Sequence, residues 1–152
     1  MRAFEILRET RKNIVKVVEG LSIEQLNEIP TGYNNNMMWN LGHILCTQQA
    51  LNYRLTNQPM NIEIGYIEKF KKGTQAAVYV QSDFDYFLNH LFELVDILET
   101  DYSEGKFKEF MPYETSYGIK LNNIEEAIEF AAIHEALHLG YIMAQKRAIL
   151  GE

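Results

Sequence analysis

The chain has 152 residues, 47% hydrophobic and 23% charged, with a formal net charge of −7. That acidic balance argues against nucleic acid as a partner, because affinity there rests on neutralising phosphates. The single cysteine, Cys46, excludes an intramolecular disulfide and any multi-cysteine zinc site.

The segment Met1-Arg2-Ala3-Phe4-Glu5 lacks the apolar core of a signal peptide. No apolar run reaches the roughly 18 residues that span a bilayer, so no membrane partner is expected. These features predict one domain over residues 1–152, in the cytoplasm.

Apolar periodicity predicts a first helix over residues 3–19, through Phe4, Leu7, Ile14, Val17 and Val18, stopped by Gly20. Ser22 and Gln25 form a capping-box pattern for a short helical turn before Pro30. After the loop Thr31-Gly32-Tyr33-Asn34-Asn35-Asn36, Asn36 is placed to cap a second helix over 37–56. Asn57-Gln58-Pro59 ends it. Residues 60–81 are ambiguous, with 62–70 either a short helix or a covered loop. A third helix is predicted over 82–100, with Asp83 and Asp85 at the positive end of its dipole. Residues 103–121, with Gly105, Pro112 and Gly118, read as a long connection with a little strand near Phe107 to Met111. Asn123 and Glu126 cap a last helix over 124–149. Four long amphipathic helices without a strand pattern predict an all-α fold, a four-helix bundle with long crossover connections.

His134-Glu135-Ala136-Leu137-His138 lies inside the last helix. Residues four apart on a helix sit about 40° apart on one face, so both imidazoles can reach one ion. Ala127, Ala131, His134, His138, Tyr141 and Gln145 form one stripe there, on a face that should look inward. His43, in Trp39-Asn40-Leu41-Gly42-His43-Ile44, sits on the second helix. One histidine alone reads best as a core residue with ordinary hydrogen bonds. Three inward imidazoles need partners, since each unsatisfied buried polar group costs about 1–3 kcal/mol, and a shared metal satisfies all three. His43, His134 and His138 are therefore the candidate metal ligands. Cys46, Trp39 and Tyr53 read as packing residues, and His90 as structural or surface.

Two other metal patterns fit less well. The stretch matches HExxH, but the extended HExxHxxGxxH fails at Gly140 and Ala144, and no sheet edge is predicted to hold a peptide. A di-iron bundle needs two ExxH pairs; Glu135 and His138 supply one, and the second helix has no glutamate.

The motifs WNLGHI at residues 39–44 and HEALHLGYI at 134–142, with the Asn-rich loop and the helix order, resemble the DinB/YfiT-like superfamily of bacterial metal-binding bundles. The resemblance covers the whole chain. It implies a divalent metal held by His43, His134 and His138. It also implies kinship with S-transferases and isomerases that use low-molecular-weight thiols.

Three neutral imidazoles leave a coordination position for water or substrate, the pattern of a catalytic site. A metal there lowers the pKa of water to about 7, or holds a thiolate. The expected function is a small-molecule metalloenzyme, a thiol S-transferase or a hydrolase; the alternative is a noncatalytic metal-binding helical module. Zinc or nickel leads among the expected metals, with iron and manganese open, because imidazole accepts several of these. The expected partners are a small-molecule substrate and a low-molecular-weight thiol, with a homodimer as an open alternative to a monomer. Glu135 is the candidate catalytic base, about 80° off the midpoint of the two histidine directions; otherwise it faces solvent. Tyr33, Asn36, Asn40, Gln49, Tyr53 and Tyr141 are further pocket candidates.

Overall fold

The computed structural model describes residues 1–152. In chain order it comprises α1 (Arg2–Val18), α2 (Ile23–Asn27), α3 (Met37–Asn52), a 3-10 turn (Arg54–Thr56), α4 (Ile64–Phe70) and α5 (Gln81–Ser103). A two-stranded ribbon, β1 (Tyr113–Glu114) and β2 (Lys120–Leu121), precedes α6 (Ile124–Leu150). No helix is long and apolar enough to cross a membrane.

The predicted caps form. Ser22 and Gln25 close a reciprocal box at α2. Asn36 Oδ1 accepts from the Trp39 amide at 2.8 Å, and Asn123 Oδ1 from the Glu126 amide at 2.9 Å. Each satisfies one of the donors that the first helical turn leaves without a partner. The second helix stops earlier than expected. The backbone tightens into the 3-10 turn and turns at Asn57, whose φ of 54° lies in the left-handed region that Asn tolerates. The ambiguous stretch resolves into α4. The strand expected at 107–111 is absent. Pairing falls instead on either side of Gly118, where a φ of 74° permits the turn between antiparallel β1 and β2.

The four long helices close a ring: α1 packs along α6, α6 along α3, α3 along α5, and α5 along α1. Consecutive long helices α1 and α3 therefore lie across a diagonal, as do α5 and α6. The connections 19–36 and 104–123 are the crossovers that this order demands. Met37, Met38, Leu41, Ile44, Leu91 and Leu94 fill one part of the core, and Phe4, Leu7, Val95, Leu98 and Ile128 another. Each such side chain contributes roughly 1.5–3 kcal/mol relative to exposure. α3 touches α2, α4, α5 and α6, and is buried almost all round. A polar residue on it consequently has to find its partner inside the protein.

Candidate metal centre

The site forms where α3 and α6 pack. α6 presents His134 and His138 one turn apart, and α3 presents His43 opposite them. All three are buried, at 7%, 9% and 8% exposure for His43, His134 and His138. Their ring centroids are 5.1 Å apart for His43–His134, 4.8 Å for His43–His138 and 4.5 Å for His134–His138. One ring nitrogen from each lies within 4.8 Å of the others, and no carboxylate or thiol joins the group.

The protonation pattern follows from the neighbours. His43 Nδ1 lies 2.6 Å from the Phe70 carbonyl oxygen. A carbonyl only accepts, so Nδ1 carries the proton and Nε2 keeps its lone pair. The Thr47 hydroxyl stands 3.4 Å from that Nε2, a long contact. His138 Nδ1 lies 2.7 Å from Asn40 Oδ1, the same arrangement with a side-chain acceptor. His134 differs: its Nδ1 is buried and meets no partner in the protein. Leaving such a group unsatisfied costs about 1–3 kcal/mol.

Burial disfavours the charged form of all three rings. It holds His43 below the ordinary histidine value, partly opposed by the Phe70 carbonyl. His134 falls to about 3, through burial and then repulsion from His43. His138 falls to about 2, through burial and then repulsion from His134 and His43. At neutral pH the centre is thus three uncharged imidazoles, the protonation state in which histidine ligates metal. The donor set and the orphaned nitrogen of His134 both fit a divalent metal ion.

Aromatic groups surround the centre. Trp39 stacks on His43 at 4.4 Å and 13°, and its Nε1–H donates to Thr74 Oγ1 at 2.9 Å. Phe130 lies 6.4 Å from His134 and carries Tyr117 edge-on at 5.4 Å. Tyr141 is 5.9 Å from His138 and 48% exposed. Behind His43, the Phe70 ring lies against Gly42, where a Cβ would fall 2.6 Å from Phe70 Cγ. Only glycine lets α4 approach α3 closely enough for the Phe70 carbonyl to meet His43.

Glu135 requires a correction. It neither faces solvent nor belongs to the histidine cluster. It is 1% exposed, and its Oε2 and Oε1 accept from Arg11 Nε at 2.8 Å and Nη2 at 2.6 Å. Arg11, on α1, is completely buried and also donates from Nη1 to the Leu91 carbonyl on α5. The 100° step carries Glu135 past the histidine face and into the core, where an arginine from a distant segment neutralises it.

The other candidates divide clearly. Asn40 is a hydrogen-bond partner of His138, and Asn36 is a helix cap. Gln49 accepts from the Asn61 amide at 2.7 Å, and the buried Tyr53 donates to Asp101 at 2.7 Å, so both serve the packing. Tyr33 is half-buried in its loop. His90 stacks on Tyr86 at 3.9 Å, outside the cluster. Cys46 is buried, and its thiol is pushed up to about 12 by that burial. Sequence reasoning missed Arg11, Phe70 and Thr47. Arg11 left a trace, a cation on the apolar side of a predicted helix; a backbone carbonyl such as that of Phe70 leaves none.

A family model described as the DinB superfamily matches residues 6–142. The crystal structure of a conserved protein from Enterococcus faecalis shares the fold, with a TM-score of 0.69 and 11% identity, over 99% of this chain and 96% of that one. At that identity the likeness speaks of fold alone. No curated protein matches the sequence.

Proposed function

We propose that this chain, which belongs to the DinB superfamily, binds one divalent metal ion through His43, His134 and His138 and uses it to activate a small nucleophile. The observation that carries this reading is the convergence of three neutral, buried imidazoles, one with a nitrogen that no protein group satisfies. A divalent ion there would supply Lewis-acid charge, favouring the deprotonated form of water or a thiol.

The chain's own residues do the rest. Phe70 and Asn40 fix which nitrogen His43 and His138 offer. Trp39 packs flat on His43 and limits its rotation. Glu135 is not assigned as a base, because Arg11 takes both of its oxygens. With that carboxylate committed elsewhere, a nucleophile that ionises readily suits the site better than one needing a strong base. This supports a small thiol and an electrophilic small molecule as substrates, with S-transfer ahead of hydrolysis.

The 7–9% exposure of the histidines favours a second reading, a noncatalytic module in which the ion ties α3 to α6. The test is metal analysis of untagged protein, followed by zinc and nickel titration of the metal-free form. A screen of low-molecular-weight thiols and water against a panel of electrophiles then separates the readings. Metal-dependent turnover lost in His43→Ala supports the enzyme. Tight metal binding without turnover supports the module. No metal binding at all overturns both.

A further inference from the structure

The geometry points to Asn40 and Gln145 as positioning residues that set the tautomer of His138, acting from two backbone carbonyls of the Asn-rich loop. Asn40 and Gln145 are 4% and 1% exposed, so their amides must find partners within the protein. Gln145 Nε2 lies 2.6 Å from the Asn35 carbonyl oxygen. Asn40 Nδ2 lies 2.9 Å from the Asn36 carbonyl oxygen and 3.1 Å from Gln145 Oε1. Asn40 Oδ1 then faces His138 Nδ1 at 2.7 Å.

The direction of every bond in this chain follows from its far end. The carbonyls of Asn35 and Asn36 only accept. Gln145 must therefore turn its NH2 toward Asn35, which points its oxygen at Asn40. Asn40 must turn its NH2 toward Asn36 and Gln145, which leaves its oxygen as an acceptor. His138 meets that oxygen and must carry its proton on Nδ1. The lone pair is left on Nε2. Flipping either amide would set oxygen against oxygen at a loop carbonyl.

The same loop residue, Asn36, caps α3 through its side chain while its backbone carbonyl anchors Asn40. Loop conformation, the start of α3 and the state of His138 are thus joined in one hydrogen-bonded unit spanning residues 35–40 and α6. The purpose of this arrangement rests on the metal reading above; its principal test does not. Partners of this kind, one step behind a metal ligand, typically account for about 10–100-fold in metal affinity.

The test is long-range 15N–1H NMR of the histidine rings in metal-free protein. Wild type is expected to show His138 in the Nδ1–H form. Asn40→Leu removes the acceptor and should bring in the Nε2–H form, whereas Asn40→Asp, which keeps an acceptor, should retain Nδ1–H. Gln145→Leu should give a smaller shift in the same direction as Asn40→Leu, and covers the case where that variant fails to fold. In zinc competition, Asn40→Leu should weaken binding about 10–100-fold and Gln145→Leu less. An Nε2–H His138 in wild type overturns the inference, as does an Nδ1–H population unchanged in both leucine variants. Failure of zinc to bind any form would remove the proposed function and leave the tautomer result standing.

Discussion

The two sides of α6 carry buried polar groups one residue apart and treat them in opposite ways. Glu135 meets a bidentate partner from α1, and Arg11 is in turn anchored to α5. That side is complete within the chain. His134, the residue before it, is also buried and has a nitrogen with no partner. Both sites are buried; closure is what separates them. A buried group whose demands are met by its own chain serves the architecture. A buried group left open, beside two rings already turned to offer lone pairs, suits something that comes from outside.

The closed side should break hardest. Glu135→Ala leaves Arg11 buried without a counter-charge and should cost about 3–5 kcal/mol, read by urea unfolding. The double variant Arg11→Met, Glu135→Leu should recover much of that loss, since a packed apolar pair often replaces a buried ion pair without penalty. A double variant no better than Glu135→Ala would mean that the pair does more than neutralise itself.

The open side should respond in ligand affinity instead. His134→Ala should weaken zinc or nickel binding by more than the roughly 100-fold upper range for supporting residues. It should also spare or raise the stability of the metal-free protein, because it removes an unsatisfied nitrogen. His90→Ala, outside the cluster, should leave metal occupancy unchanged.

Acid sharpens the same contrast. The unfolded chain takes up protons on its histidines near pH 6.5, whereas the folded chain holds His134 and His138 neutral down to about 3 and about 2. The unfolded state then binds more protons, so metal-free stability should fall as pH drops below about 6.5. The slope is about 1.4 kcal/mol per pH unit for each such histidine. Measuring between pH 7 and 5 keeps most carboxylates out of the transition. Replacing His138 by Asn should flatten the slope. The smallest effect belongs to Cys46: with its thiol pushed up to about 12, it should label slowly in the native state. Cys46→Ala should leave metal affinity intact.

The sequence exposed these two sides unequally. The histidine face was legible because His134 and His138 obey the helical period and because apolar neighbours mark that face as inward. The four long helices were legible for the same reason, and the starts of two of them from Asn36 and Asn123, as was the short α2 from Ser22. Glu135 was misread because period gives direction without depth. Whether a carboxylate 80° away meets water or an arginine depends on α1, more than a hundred residues earlier in the chain. The partner of His43 was illegible for a simpler reason. It is a main-chain oxygen, and every residue has one. The ribbon moved from 107–111 to 113–121 because tertiary contact with α6, rather than local composition, decides where so short a pairing forms.

The contact between Gly42 and Phe70 also constrains how this protein can be rebuilt. A segment transplanted from another bundle in place of residues 62–70 would bring its own bulk against α3, and a side chain at position 42 would push it away. Either exchange, where it displaces the α4 backbone, carries away the oxygen that His43 relies on without touching the histidine. Engineering here must treat residue 42, the α4 backbone and the imidazole as a single cassette, moved together or left in place.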